Sequence, residues 1–210
     1  MEATHIRFAR DLATSMRVTD FVSYYSGAVY PDSRYATGVP RFATHLGASC
    51  PRDLCTSDMT DFEKGWATHL CYDRTSAAIR RETLVGIPDE WRADDWAFAT
   101  AVKLVEDMES VRALGADIAL ARNLVATEHP CGEDLRVMEG YYADLCAAYA
   151  SACDDPEDYR AFSIRMGIAS VLADRMIALA RNLAADSAIL RAIAGVYPCA
   201  LTLAETALRR

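Results

Sequence analysis

Glycine and proline are scarce in this sequence, at ten and seven among 210 residues, and no glycine-rich phosphate-binding loop is present. Because these residues interrupt regular backbone, their scarcity beside abundant alanine favours helix. Residues 1–20 lack the apolar core of a secretory signal. No stretch approaches the roughly 20 apolar residues that a membrane span needs. We therefore expect a cytoplasmic protein without a membrane span.

Positive charge is also in short supply, since the formal net charge is −8 at pH 7. A negative surface repels polyphosphate and anionic membranes at long range, so no nucleic-acid partner is favoured. The compact basic groups are Arg74, Arg80 and Arg81 on one predicted helix and Arg209 and Arg210 at the end. These fit a solvated helix face and a basic terminus. The sequence leaves the oligomeric state open.

The seven cysteines include no Cys-x-x-Cys pair, and their odd, scattered arrangement indicates reduced thiols. Cys50 and Cys55 bracket a short loop, where a disulfide, a weak metal site and two independent thiols all remain open. A chain of 210 residues buries a full core without disulfides or structural metals. A metal site in this chain would therefore not be needed merely to hold the fold together.

Hydrophobic periodicity predicts a single all-α, bundle-like domain of about eight or nine helices. The predicted helices cover 3–18, 21–29, 41–48, 58–83, 94–114, 116–127, 133–151, 157–185 and a last stretch from 187 that breaks near Pro198. Asp20 is the predicted cap of the second helix, and Ser57 or Thr60 of the long one. An extended turn is predicted at Tyr30-Pro31-Asp32. We divide the domain into a metal-site half, 1–83, and a helical remainder, 84–210.

One face of the predicted helix 58–83 carries both apolar and ionisable residues. Its members are spaced four, three, four and four residues apart, which is one continuous helix face: Phe62, Trp66, His69, Asp73 and Ala77. A carboxylate on a buried face is costly unless a partner or a metal relieves it. His69 and Asp73 lie one turn apart, so both can reach one point. This pair fits a two-ligand metal unit or a core histidine beside a salt-bridged aspartate.

Three further residues of the first half favour the metal interpretation. His5 lies on the apolar face of the first helix, Asp32 follows Pro31 in the turn, and His45 lies on the short third helix. Zinc binds imidazole and carboxylate ligands readily. Two histidines and two aspartates complete one four-ligand site: Asp32, His45, His69 and Asp73. His5 can join a second ion that shares Asp73 as a bridge.

This order of residues resembles the superfamily of zinc-dependent phospholipases C and single-strand-specific nucleases. Small bacterial relatives share a Gly-x-x-x-Pro-Asp stretch, here Gly27 to Asp32, and a Gly-x-x-x-His-x-x-x-Asp helix, here Gly65 to Asp73. The resemblance covers about residues 1–80. It implies an all-α fold and zinc-dependent cleavage of phosphodiesters. It also implies the same four ligands for the first metal, with His5 on a neighbouring metal bridged by Asp73.

The chain departs from this family in two places. The family's N-terminal tryptophan, a ligand through its amine, is absent, and residues 74–91 lack the histidines of the remaining metal. We therefore expect one or two zinc ions rather than three. A second interpretation is a non-catalytic helical protein that keeps the metal site to bind a ligand. A third is a metal-free interaction module, which predicts histidine ring nitrogens more than about 10 Å apart.

The expected function is a metal-dependent hydrolase that acts on a small phosphoester or related ester. Zinc lowers the pKa of a water molecule to about 7, so that it can attack a phosphoryl or carbonyl centre. Asp32 and Asp73 hold the metal and can accept the proton of the water. Arg34 and Arg41 follow Asp32 closely and suit contact with a phosphate or carboxylate. These arginines also fit simple salt bridges within the loop.

Overall fold

The computed structural model describes residues 2–47, 50, 51, 54, 58–84, 87, 91, 95–150 and 155–209. These residues contain helices and no strand, which confirms the all-α prediction. In chain order the elements are α1 (Glu2–Leu12), α2 (Phe21–Val29), a 3-10 helix (Tyr30–Ser33), α3 (Arg34–Thr37), α4 (Arg41–His45), α5 (Asp61–Thr83), α6 (Asp95–Leu114), a second 3-10 helix (Gly115–Arg122), α7 (Leu135–Ala148), α8 (Asp158–Arg165), α9 (Ser170–Ala185) and α10 (Ser187–Leu208).

Side-chain caps fix the starts of the two helices that form the base of the site. The Asp20 carboxylate accepts hydrogen bonds from the backbone N–H groups of Val22 and Ser23, which satisfies free donors at the start of α2. Thr60 caps α5, where it forms a reciprocal capping box with Glu63. Both starts agree with the sequence prediction.

Several predicted boundaries are wrong because local rules were overridden. Tyr30–Ser33 is a 3-10 helix rather than an extended turn, since Pro31 lies in its first turn, where a missing N–H costs little. The predicted helix 157–185 divides into α8 and α9 at Gly167, whose φ of 81° ends a helix. The sequence predicted an α-helix over 116–127. The structure has the 3-10 helix Gly115–Arg122 there, and residues 123–127 are not helical.

Helix α10 continues through Pro198, where the sequence predicted a break. A proline removes one backbone hydrogen bond, and the remaining bonds and the buried face keep this helix in one piece. The face toward the core includes Ile193, Val196, Ala200 and Ala204.

By length and composition alone Ser187–Leu208 could cross a membrane, with 28% of its most apolar window buried. One such helix is weak evidence, because core helices of soluble proteins meet the same criteria, and the absence of a membrane span stays a prediction.

The most extensive contact between two helices in the described structure is the crossing of α2 and α5, which depends on two glycines. A Cβ atom added to Gly65 would lie 1.9 Å from the carbonyl oxygen of Tyr24. A Cβ atom added to Gly27 would lie 2.0 Å from the carbonyl oxygen of Phe62. The two backbones are therefore in direct contact, and the side chains beside the crossing are held at short range.

One hydrophobic cluster contains buried side chains from both of the predicted halves. Tyr24 and Trp66 come from residues 1–83, and Val102, Tyr141 and Ile193 come from the remainder. The helical remainder thus completes the core on which the first half packs. It also contributes α6, which covers the candidate site.

Candidate metal centre

The amino end of α1, which carries His5, is anchored to a buried carboxylate of α6. The backbone N–H and the hydroxyl of Thr4 donate to Asp107 Oδ1 at 2.8 and 3.1 Å. The hydroxyls of Tyr149 and Tyr159 donate to Asp107 Oδ2 at 2.6 and 3.0 Å. Four donors satisfy this fully buried side chain. Helix α1 is therefore fixed against α6, and His5 is fixed with it.

The glycine crossing determines the state of the His69 ring. His69 Nδ1 lies 2.8 Å from the backbone oxygen of Ala28, a carbonyl that can only accept. Nδ1 therefore carries the proton, and Nε2 presents its lone pair. This Nε2 is buried and has no hydrogen-bond partner. An unpaired buried acceptor costs about 1–3 kcal/mol, which a bound cation would offset.

A similar arrangement orients His45. The Thr44 hydroxyl donates to the Arg41 backbone oxygen at 3.5 Å and lies 2.8 Å from His45 Nδ1. This contact holds the imidazole ring in place whichever of the two groups donates, and Nε2 lies on the side of Asp32 and Asp73. Trp66 Nε1 donates to the Thr44 backbone oxygen at 2.8 Å, which ties α4 to α5. Metal-binding histidines are commonly oriented by such partners.

The structure brings all five predicted ligands together. Ligand atoms of His5, Asp32 and His69 lie within 4.8 Å of one another, as do those of His45, His69 and Asp73. His45 Nε2 lies 4.0 Å from Asp32 Oδ1 and 3.8 Å from Asp73 Oδ2. Their role as metal ligands stays a prediction.

This convergence disagrees with the spacing expected of a metal-free interaction module, in which the histidine rings lie more than about 10 Å apart. The rings of His5 and His69 stack with centroids 3.6 Å apart, and those of His45 and His69 are 5.5 Å apart.

Burial keeps the three imidazoles in the neutral form that binds metals. Desolvation, with the neighbouring His69, lowers the pKa of His45 to about 3. The same two causes lower the pKa of His5, and burial lowers the pKa of His69. Neutral imidazole is the form in which histidine coordinates a cation. No proton must therefore leave these rings before a metal binds near neutral pH.

The two aspartates remain ionised although they are largely buried. Burial alone would raise the pKa of Asp73, but the positive charge of Lys103 holds that pKa well below its usual range. Burial likewise opposes ionisation of Asp32, and neighbouring positive charge, including that of Lys103, keeps its pKa low. The Lys103 ammonium lies 2.9 Å from Asp73 Oδ1. Two anionic oxygen donors thus face the neutral nitrogen donors.

A cleft of about 270 Å³ opens onto these residues. Charged, polar and apolar side chains line this cleft, namely Glu2, Asp32, Arg34, Tyr35, Arg41, His45, Asp73, Trp96, Ala99, Thr100, Lys103, Tyr141, Phe162, Ser163, Met166 and Ile168. Arg34 and Arg41 therefore lie where the sequence placed them. Arg34 stacks on Tyr35, 3.9 Å from the ring centroid, and Arg41 lies 3.8 Å from Asp73 Oδ2.

A second cleft, of about 470 Å³, meets the first at Asp73, Arg41, Ala99 and Lys103. Its other lining residues are basic or apolar, namely Ala77, Arg80, Arg81, Leu84, Phe98 and Val102. The candidate centre therefore lies at the junction of two clefts, and both contain positive charge. This arrangement suits an anionic ligand.

Two residues of this site, Lys103 and Glu2, were missed by the sequence analysis. Lys103 had a signal, since it is the one charged residue between Trp96 and Val105. Glu2 is 4% exposed, and burial raises its pKa to about 7. The Tyr141 hydroxyl donates to Glu2 at 3.3 Å. The position of Glu2 before His5 on α1 did not indicate that Glu2 lines the cleft.

The loop thiols have no described role in this centre. The Cys50 thiol donates to the Ala43 backbone oxygen at 3.0 Å, and that of Cys131 approaches the same oxygen at 3.6 Å. Cys55, its proposed partner, lies outside the described residues. Cys50 is a free cysteine, which excludes the disulfide, while the weak metal site and the two independent thiols both stay open.

The donor set fits zinc, because two other imidazoles and two carboxylates surround the buried Nε2 of His69, which lacks a hydrogen-bond partner. No family model matches the chain, and no curated protein or solved structure matches it either.

Proposed function

We propose that this protein is a zinc-dependent hydrolase of a small phosphoester or related ester. The observation that carries the proposal is the buried, unpartnered Nε2 of His69 at the centre of four other ionisable side chains. A buried acceptor without a partner is costly, and a cation is a partner that this donor set suits.

Asp32, His45, His69 and Asp73 would hold the first zinc ion, with His5 beside it. When bound, zinc acts as a Lewis acid and makes water nucleophilic near neutral pH. Ala28 and Thr44 fix the two imidazole rings through their Nδ1 atoms, so the donor nitrogens need little reorganisation.

The remaining residues of the cleft bind and orient the substrate. Arg34 and Arg41 are placed to contact anionic oxygens, and Asp32 and Asp73 are ionised and can accept a proton. The cleft volume of about 270 Å³ favours a small substrate. The family resemblance of residues 1–80 further supports a phosphoester. A cytoplasmic location and a small-molecule partner are part of this proposal.

The test is metal analysis of protein purified without added zinc, compared with His69→Ala. Exposed His129, the fourth histidine, lies outside the cluster and provides the control His129→Ala. We expect about one zinc or more per chain in the wild type and the control, and less than about a tenth in His69→Ala. Folded wild-type protein that carries less than about a tenth of an equivalent of zinc, and that takes up none when zinc is added, would overturn the proposal.

Turnover separates the hydrolase from a non-catalytic metal-binding protein. We would assay generic phosphomonoesters, phosphodiesters and carboxylic esters with and without a chelator. Hydrolysis that zinc restores, and that is lost in Asp73→Asn, supports the hydrolase. Zinc binding without turnover of any of these substrates supports the non-catalytic alternative.

A further inference from the structure

The Lys103 ammonium occupies a specific place beside the proposed zinc site. Its Nζ lies 2.9 Å from Asp73 Oδ1, and His5 Nε2 lies 3.8 Å from the same oxygen. The other oxygen, Oδ2, lies 3.8 Å from His45 Nε2. Lys103 therefore contacts Oδ1 of the Asp73 carboxylate, and His45, a proposed ligand of the first metal, faces Oδ2. A second ion bridged by Asp73 and His5 would need the side that Lys103 holds.

The supply of nitrogen ligands also favours a single ion. Both groups of potential ligands contain His69, whose Nδ1 is engaged by Ala28. Only Nε2 of His69 remains, and one nitrogen lone pair coordinates one metal. If the first ion takes His69, His45 and Asp73, the residues left around His5 are too few for an independent site.

We propose that Lys103 supplies the second positive charge of this centre, in place of a second metal ion. The inference rests on the proposed zinc site and specifies its composition as one divalent ion and one ammonium. The two carboxylates and the ammonium together carry a charge of −1, which one zinc converts to +1 and two would convert to +3. A charge of +1 suits an anionic substrate, whereas +3 in a largely buried site is strongly disfavoured.

The arrangement gives Lys103 two tasks. It fixes the orientation of Asp73, so that Oδ2 is directed to the first metal. It also lines both clefts where they meet, and its side chain is 33% exposed. An anionic oxygen of a substrate in either cleft can therefore contact the ammonium. Arg41 is less suited to replace a buried ion, because its side chain is 51% exposed.

The test compares metal content and affinity in charge variants. Lys103→Met and Lys103→Gln remove the charge, and Gln keeps a hydrogen-bond donor for Asp73 if the Met variant does not fold. Lys103→Arg keeps the charge. Lys64→Met is the matched control, since Lys64 pairs with Asp61 at 2.7 Å and lies outside both clefts. Zinc would be measured by elemental analysis after equilibration and by competition with a chelator.

We expect one zinc per chain in the wild type, in Lys103→Arg and in Lys64→Met. Lys103→Gln, which keeps a donor for Asp73, should bind the first ion roughly tenfold or more tightly, because a nearby positive charge is gone, and both neutral variants should accept a second ion. Two ions in the wild type, or unchanged stoichiometry and affinity in the neutral variants, would overturn the inference. Absence of zinc from every variant and from the wild type would instead refute the proposed function itself.

Discussion

The substitution Gly65→Ala tests whether the glycine crossing of α2 and α5 builds the site. The added Cβ would lie 1.9 Å from the Tyr24 carbonyl oxygen and 2.8 Å from the Ala28 nitrogen. Both neighbours are backbone atoms, so no side chain can rotate away. Relief requires the helices to separate by roughly 1 Å or more, because nonbonded carbon atoms approach to about 3.5 Å.

The energetic cost follows from this geometry. Overpacking a close contact typically lowers the free energy of unfolding by about 1–3 kcal/mol. We expect about 3 kcal/mol or more here, because the clash is between two backbones. Alanine in place of a helical glycine raises the free energy of unfolding by about 0.5–1 kcal/mol, because alanine loses less conformational freedom on folding. We therefore expect Gly65→Ala to lose about 2 kcal/mol or more of unfolding free energy. Separation of the helices would also break the 2.8 Å contact between His69 Nδ1 and Ala28.

Urea unfolding of the metal-free protein measures the first effect, and chelator competition measures the second. Loss of the carbonyl partner of His69 should weaken zinc binding about 10–100-fold. Gly140→Ala is the matched control, because Gly140 lies in α7 and a Cβ there meets nothing within 4 Å. That control should be neutral or slightly stabilising and should leave zinc affinity unchanged. A Gly65→Ala protein as stable as the wild type, with unchanged zinc affinity, would refute the reasoning.

Three further predictions concern the supports of the site. Thr44→Val removes the hydroxyl beside His45 Nδ1, so zinc affinity measured by chelator competition should fall about 10–100-fold, and an unchanged affinity would contradict the proposed orientation. The folded pKa of His45 is about 3, below the unfolded value, so the unfolded state binds the proton first. The stability that this group contributes is present above about pH 6.5 and is lost as pH falls, by about 2 kcal/mol at pH 5. Denaturant titrations of the metal-free protein at pH 7.5 and pH 5 would show this loss, and equal stability at both would contradict it. Asp107→Asn places an amide among four donors and should cost about 2–3 kcal/mol. Thermal unfolding measures that loss, and an unchanged melting temperature would show that the anchor of α1 is dispensable.

The parts of the fold that sequence predicted well depend on local signals. Asp20 and Thr60 mark the starts of α2 and α5, because a short polar side chain satisfies free N–H groups only at a helix start. His69 and Asp73 could be assigned to one face by helical periodicity alone. Such features need no knowledge of the neighbouring helices, so a single sequence suffices to find them.

The errors arise where tertiary packing or turn chemistry decides. Pro198 ends a helix by local rules, yet α10 continues because its buried face holds it against the core. Gly167 was passed over inside a long helical pattern, although its left-handed conformation separates α8 from α9. Lys103 was missed for a different reason: its partner Asp73 lies 30 residues earlier, and only the tertiary fold, in which α5 and α6 both contact α1, brings them together.

The glycines of the two sequence motifs now have a physical explanation. In the first, Gly27 lets α2 contact α5, and the next residue, Ala28, offers its carbonyl oxygen at that contact. In the second, Gly65 allows the same approach, and His69, one turn later, donates its Nδ1–H to that carbonyl oxygen. The tautomer of a candidate ligand is thus determined by a helix crossing rather than by a loop. It follows that substitutions at this crossing should change zinc affinity even though neither glycine is a ligand, and that the spacing of glycine and histidine is as necessary to the site as the histidine itself.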